Sequence, residues 1–217
     1  MKALSSGFSA AVACKVVGIS YRQLDYWDKT GLLRPSVQAA AGKGSRRVYS
    51  FEDLVELRVV ARLVSVGVTL SSVRKTARYL RQNFADVIRP LARLALVVDG
   101  KRVLVRTTDK RHLLDASGDG QFVICFAVAP IAKDLRAKVT ELGAPRTISV
   151  RVAGSAYEVR LTPDLEVGGY TVEVPSLPGV VTEANTVGEA RRHAADAIRA
   201  WTEVARGSRK TTRSAAR

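Results

Sequence analysis

The sequence is poor in the residues that usually mark catalysis or cross-linking. Its 217 residues include two cysteines, two histidines, one methionine and two tryptophans. Cys14 and Cys125 each stand among apolar neighbours. They make no disulfide framework and no paired metal-ligand spacing, and read as small buried hydrophobes. His112 and His193 are isolated from other ligand types, so no metal site is expected. No apolar run approaches the roughly 20 residues of a spanning helix. The opening MKALSSGFSAAVACKVVG is too short and early for a span and has no clear signal-peptide cleavage site. A soluble, cytoplasmic protein is the expectation. Acids are scarce as well: 20 Asp plus Glu face 35 Lys plus Arg, for a net charge of +15 and a pI near 10.4. That excess bears on partners rather than on fold, and a polyanion such as nucleic acid is the natural one.

The excess is uneven. Residues 1–86 hold 14 basic and 6 acidic side chains, a difference of +8; residues 87–145 hold 10 and 6; residues 146–217 hold 11 and 8. The first segment is therefore the expected polyanion binder. The closing GSRKTTRSAAR carries four basic residues and no acid, and is expected to be a disordered helper.

Ser9 can cap a helix AAVACKVV, with Ala10, Ala13, Val16 and Val17 inward and Gly18 as its stop. Ser20 caps a second helix from Tyr21, with Leu24 and Trp27 one turn apart and facing inward, and Gly31 ends it. Two short helices around a tight glycine turn make a helix-turn-helix. RPSVQAAAGKGSRRVYS then suggests a hairpin wing with its tip at 41–45. After a Ser50 cap, Phe51, Leu54, Leu57, Val60, Ala61 and Val64 recur at helical spacing, with Glu52 and Asp53 at the positive helix end. Past Gly67, a fourth helix aligns Val73, Ala77 and Leu80.

From about residue 91 the period becomes strand-like. LARLALVV, Asp99-Gly100 and KRVLVRTT signal a hairpin. RHLLDASGDG reads as a helical or looped connector, QFVICFAV as a buried strand, and PIAKDLRAKVTEL as an amphipathic helix with Pro130 in its first turn. The runs 94–98 and 121–128 are too apolar for one-sided strands; the helix or a second subunit must cover them. After Gly143-Ala144-Pro145, TISVRVAG, SAYEVRLTPD and YTVEVPS read as strands and LPGVVTEANT as a loop. Asn185 or Thr186 then caps a helix with Ala190, Ala194, Ala197, Ile198 and Trp201 inward. The expected class is α+β, in segments 9–83, 88–143 and 147–206, with 207–217 as the basic tail.

Ile19-Ser20, Leu24-x-Tyr26-Trp27, Gly31-Leu32-Leu33-x-Pro35, Arg47-x-Tyr49, Glu52-Asp53-Leu54 and Gly67-Val68-x-Leu70 together resemble the MerR family of bacterial regulators. The likeness is nearest to an actinobacterial branch marked by YRQLDYW, and Gly118-Asp119-Gly120-Gln121 extends it more weakly to about residue 142. It implies a winged helix-turn-helix that binds promoter DNA as a homodimer, distorts it, and acts with RNA polymerase. Asp25 departs from the arginine common in relatives, and Trp27 from a tyrosine. The chain shows no long coiled-coil helix of the kind that usually pairs MerR subunits, so the middle segment is the expected dimerisation element. Tyr157-x-Val159-x-Leu161, Pro163-Asp164, Gly168-Gly169-Tyr170, Val174-Pro175-x-Leu177-Pro178-Gly179, Thr182, Thr186 and Glu189-Ala190 resemble a HicB-like antitoxin domain. That is a degenerate ribonuclease-H-like fold, here expected as β-β-β-α. Val180 and Ala184-Asn185 depart from its pattern.

DNA binding needs cations for phosphates and donors for base edges. The second helix offers Ser20, Tyr21, Arg22, Gln23 and Tyr26, with Arg22 suited to bidentate pairing with guanine. Lys43, Arg46, Arg47 and Tyr49 on the wing suit phosphates, and Lys15 and Arg34 flank the surface. Asp25 is expected to orient a neighbouring basic side chain, with Arg22 at i−3 as one candidate, or to repel wrong phosphate registers. No catalytic, metal-binding or cofactor-binding residues are expected: Glu158, Asp164, Glu166 and Glu173 fall on alternating strand or turn positions, not in the cluster that two metals need. A sequence-specific regulator, not an enzyme, is the leading expectation. The alternative is an antitoxin that neutralises a HicA-like RNA-cleaving toxin and regulates its own gene. A small-molecule effector is a further possible partner, and nucleoid association is expected when the protein is bound to DNA.

Overall fold

The computed structural model describes residues 7–40, 45–83, 90–93, 95–99, 102–106, 113–115, 123–126 and 128–214. Residues 41–44 of the expected wing tip, Lys43 among them, His112 and the Gly118–Gln121 turn lie outside the described residues. The chain forms two compact units, residues 1–140 and 141–217.

In the first unit, β1 (Phe8–Ser9) leads into α1 (Ala10–Val17). The Ser9 hydroxyl accepts from the Val12 amide, and Gly18 turns left-handed at φ 77° to stop the helix. α2 (Tyr21–Lys29) follows at once, with Leu24 and Trp27 buried as the spacing requires. β2 (Val48–Tyr49) pairs antiparallel with β1, and Val48 also bridges Gln38. The wing is thus a single bridged pair backed by an N-terminal strand that two residues of sequence could not signal. α3 (Phe51–Ser65) starts on a Ser50–Asp53 capping box. It is buried nearly all round, because Val55, Glu56, Val59 and Leu63 join the expected face while Ala61 and Val64 stay only half-buried. α4 (Leu70–Asn83) buries Val73, Ala77 and Leu80.

The expected 9–83 and 88–143 segments share this unit. α5 (Pro90–Arg93) packs on α3 and α4, and β4 reaches α4. An antiparallel sheet of order β5-β4-β3-β6 contains β3 (Ala95–Asp99), β4 (Arg102–Arg106), β5 (Leu113–Asp115) and β6 (Val123–Phe126). The β3–β4 hairpin forms as expected, and its register sets Asp99 opposite Arg102 and Val98 opposite Val103. β5 corrects the looped connector: Leu113-Leu114-Asp115 zips onto β4 because pairing, not local propensity, defines so short a strand. α6 (Val128–Leu142) buries Leu135 and Val139 and holds Pro130 in its first turn.

The second unit is an antiparallel sheet of order β10-β9-β8-β7 with a helix over one face. It contains β7 (Arg146–Val152), β8 (Ser155–Pro163), β9 (Tyr170–Glu173), β10 (Val181–Ala184) and α7 (Val187–Ser214). Val150, Val152, Val159, Leu161, Val172 and Ala184 point into a core closed by Ala190, Ala194 and Ile198. The order is β-β-β-β-α rather than β-β-β-α: β10 lies in the stretch expected as a loop, where Val181–Ala184 finds β9 as its partner. Thr186 is the helix cap, accepting from the Glu189 amide.

Two expectations about α7 fail for one reason, its length. Its 28 residues run through Ser214 instead of giving way to a disordered tail at 207. Propagation is easy once the helix is nucleated on the sheet, and it carries the helix past Gly207 and through Thr211 and Thr212, which are poor helix formers. At 1.5 Å per residue the helix spans about 42 Å and outruns strands of four to nine residues. Trp201, expected inside, is therefore 38% exposed.

Gly169 has a role beyond turn-making. At φ 82° an added Cβ would stand 2.6 Å from the Ala184 carbonyl oxygen, whereas at Gly168, φ 89°, nothing lies within 4 Å. Gly169→Ala is expected to destabilise this unit by about 2–3 kcal/mol and Gly168→Ala by about 1 kcal/mol, the conformational cost alone. Thermal melts of the full chain measure both; equal losses would remove the steric account.

Candidate nucleic-acid interface

The start of α2 is built to face outward. Ser20 and Gln23 form a reciprocal cap: the Ser20 amide donates to Gln23 Oε1 at 2.9 Å, and the Gln23 amide donates to the Ser20 hydroxyl at 3.2 Å. With its cap satisfied, the first turn leaves Tyr21 58% exposed and Arg22 and Gln23 in solvent. The positive end of the helix dipole points the same way. Gln23 Oε1 is spent on the cap, so its amide NH2 is what remains for a ligand. Ser20→Ala is expected to cost about 1 kcal/mol and Ser20→Asp, another good cap, much less. Denaturant midpoints of the two variants compare them directly.

The two acids of α2 hold basic side chains, as expected of Asp25, but Arg22 is not the one held. Arg47 is 9% exposed and reaches across from the wing. Its Nη2 donates to the Tyr21 hydroxyl at 2.6 Å, and its Nη1 donates to Asp28 Oδ2 at 3.1 Å and lies 3.3 Å from Asp25 Oδ1. The guanidinium carbon sits 5.1 Å from the Tyr21 ring centroid, a cation–π distance. Asp25 also pairs with Lys29 at 2.8 Å. Its partners are thus Lys29 and Arg47, not Arg22: Arg22 is in solvent, while the wing brings Arg47 to the carboxylates. Burial works against the Arg47 charge, but the hydrogen bonds to Tyr21 and Asp28 outweigh it and hold the guanidinium protonated. The hydrogen bond from Lys29, against some desolvation and helped by Arg47, holds the Asp25 carboxyl below the usual range. A lowered carboxylate stabilises the fold fully above its unfolded value of about 4 and loses that contribution as pH falls through its folded value. The clamp is therefore intact throughout the neutral range.

Tyr49 is also interior rather than on the DNA side. It is 1% exposed, its hydroxyl has no hydrogen-bond partner among the described residues, and burial pushes that hydroxyl above the usual tyrosine range. Arg47 and Tyr49 are buried because β2 pairs with β1 and packs on α1, so the side chains before and on the strand turn inward. Lys15, Arg34 and Arg46 are exposed as expected. Tyr26 is 48% exposed, with the Arg74 guanidinium 5.5 Å from its ring centroid.

Asp53 fixes the root of the wing. Its Oδ2 accepts from the Ser50 amide at 2.9 Å and from the Ser36 amide and hydroxyl at 2.8 and 2.7 Å. The capping signal was visible in sequence; the tie to Ser36, 17 residues away, was not. Arg58 on α3 donates to the Val17 carbonyl at the end of α1 and lies 3.9 Å from Asp134 of α6. The helix-turn-helix is thus braced from behind as well as from the wing.

Two short capped helices, a glycine turn, a strand-backed wing and two further helices make a winged helix-turn-helix. Residues 8–80 match the family described as MerR HTH family regulatory protein. The N-terminal segment thus carries a domain of the MerR HTH type. The chain is similar to three proteins named as uncharacterized HTH-type transcriptional regulators, from Mycobacterium bovis AF2122/97 and from Mycobacterium tuberculosis CDC 1551 and H37Rv. Each is 36% identical over 140 residues, 64% of this chain. The chain spans 60% of the length of these curated relatives.

Outside the MerR-type segment, the acids considered for metal-dependent chemistry are dispersed. Glu158 is exposed on β8, Glu173 lies 3.6 Å from Arg160, and Asp164 Oδ1 accepts from the Glu166 and Val167 amides in a turn. Among the described residues no three His, Cys, Asp or Glu side chains gather as a metal site. A cavity of about 230 Å³ beside β9 and β10 is lined by Asp164, Tyr170, Glu183 and His193. His193 Nδ1 is 2.8 Å from the Glu183 carbonyl oxygen, which occupies one side of the imidazole. Among the described residues no helix is long and apolar enough to cross a membrane.

Proposed function

We propose that the chain is a sequence-specific transcription regulator that binds promoter DNA as a homodimer and distorts it. The observation that carries this reading is the capped, outward-facing first turn of a recognition helix locked to its wing by Arg47. Arg22, projecting from that turn, reads a base edge. Tyr21, Gln23 and Tyr26 lie along the groove, and Lys15, Arg34, Arg46 and Lys43 hold phosphates. Arg47 and Tyr49 act from inside, by shaping the wing. The net charge of +15 steers the protein to DNA and makes binding salt-dependent. The names of the mycobacterial relatives agree with this role.

The second unit we read as an accessory HicB-like domain for sensing or partner binding. Its support is the sequence pattern from Tyr157 to Ala190 carried on a four-stranded antiparallel sheet under one helix. RNA polymerase is the partner at the promoter in this account, and the first unit supplies the dimer contact.

Genome-wide occupancy of the tagged protein tests the reading. Enrichment at inverted repeats within promoters is expected, because a twofold dimer reads two half-sites about one helical turn apart. Occupancy no higher than that of an Arg22→Ala protein expressed at the same level would contradict it.

A further inference from the structure

α4 carries Arg74, Lys75, Arg78 and Arg81 and no acid in its 14 residues. Positions 74, 78 and 81 are spaced i, i+4 and i+7, so three guanidinium groups share one ridge. Like charges at that spacing repel and weaken a helix. The ridge faces the loop that ends α2. Between them is a cavity of about 210 Å³ lined by Thr30, Gly31 and Leu32 on one side and by Arg74, Arg78 and Arg81 on the other. No carboxylate among the described residues lines it.

The arginines are not equivalent. Arg81 Nη2 donates to the Leu32 carbonyl at 2.9 Å, which anchors α4 to the loop. Arg78 is exposed. Arg74 lies against the Tyr26 ring, and its Nε and Nη2 are buried with no hydrogen-bond partner among the described residues. Two buried guanidinium donors without an acceptor, in a wall whose charged side chains are all arginines, are costly unless an anion answers them.

We propose that this cavity is an oxyanion site that takes a phosphate group, held between Arg74 and Arg78 and bordered by the α2–loop junction. A tetrahedral oxyanion supplies the acceptors that Arg74 lacks and relieves the repulsion along α4. A small turn of the Arg74 guanidinium presents its N–H groups to the cavity. Two sources offer the same chemistry: a phosphate of the DNA backbone, because Tyr26 joins the site to the recognition helix, or a free phosphorylated small molecule. The site itself does not depend on the promoter reading.

The test titrates inorganic phosphate into the full chain without DNA, against sodium chloride of equal ionic strength, followed by calorimetry. Saturable binding is expected. It should weaken roughly tenfold or more for each charge-assisted contact removed in Arg74→Gln/Arg78→Gln, and persist in Lys75→Ala. Arg78→Gln alone, at an exposed position, gives the same reading if the double variant unfolds. DNA then separates the sources. Displacement of phosphate by DNA, with a salt slope flattened by roughly one per arginine lost, identifies a backbone phosphate. Phosphate that stays bound on the DNA complex identifies a free ligand. Heats that are the same for wild type and Arg78→Gln, or no heat beyond the chloride control, would overturn the proposal. Because the first measurement contains no DNA, its failure is distinct from a failure to bind promoters.

Discussion

Arg22→Ala is expected to weaken binding to the operator by about 1–3 kcal/mol, a loss of roughly 5- to 150-fold, while changing binding to unrelated DNA little. The reason is position. Arg22 stands in solvent on the first turn of a helix whose own cap is already satisfied, so folding does not consume its donors. A bidentate contact to guanine is the strongest discrimination one side chain gives, and its loss relaxes specificity at one base position. The fold should be untouched, and the melting temperature unchanged. Binding profiles over a randomised operator library measure the effect. Identical profiles for wild type and Arg22→Ala would remove this residue from base readout.

Arg47→Ala is expected to act through the fold. It strips the partner from Asp28, from the Tyr21 hydroxyl and from one side of Asp25 at once. Breaking a largely buried, hydrogen-bonded charge pair costs about 2–4 kcal/mol, which for a unit of this size lowers the melting temperature by roughly 10 °C. The wing then loses its tie to α2, and affinity for every DNA sequence falls together. Arg47→Lys should fail to restore either property, because an ammonium cannot reach three acceptors with a planar fork. A residue that merely touched phosphate would behave otherwise: lysine would serve, and stability would not move. A normal melt for Arg47→Ala, or full rescue by lysine, would return Arg47 to the DNA surface.

These two arginines show what was legible in the sequence and what was not. Local rules place four helix starts and one stop: Ser9, Ser20, Ser50 and Thr186 all cap with their side chains, and Gly18 turns left-handed where α1 stops. The spacing of Leu24 and Trp27 places them inward, as they are found. Arg47 resisted because positive charge alone does not separate a phosphate contact from an internal ion pair. Its partners Asp28 and Tyr21 are 19 and 26 residues away. A usable signal did exist: two acids at i and i+3 on a recognition helix call for a cation from elsewhere, and Arg47 is next to a strand that buries both of its residues.

The strands fell on the same line between local and tertiary causes. The β3–β4 hairpin announced itself through apolar runs around a turn dipeptide. β1, β5 and β10 are two, three and four residues long and exist only by pairing with β2, β4 and β9. Trp201 shares the inner face of α7 by spacing yet is exposed, because helical spacing tells which side chains share a face, not where the covering sheet ends.

The central claim is that α2 and its wing read a particular DNA sequence. Fluorescence anisotropy of the full chain, titrated onto labelled duplex from upstream of its own gene and onto a scrambled duplex of equal length, tests this most directly at one fixed salt concentration. The account predicts affinity for the upstream duplex at least ~10³-fold tighter, with both affinities falling as salt rises. Equal affinities for the two duplexes would contradict it.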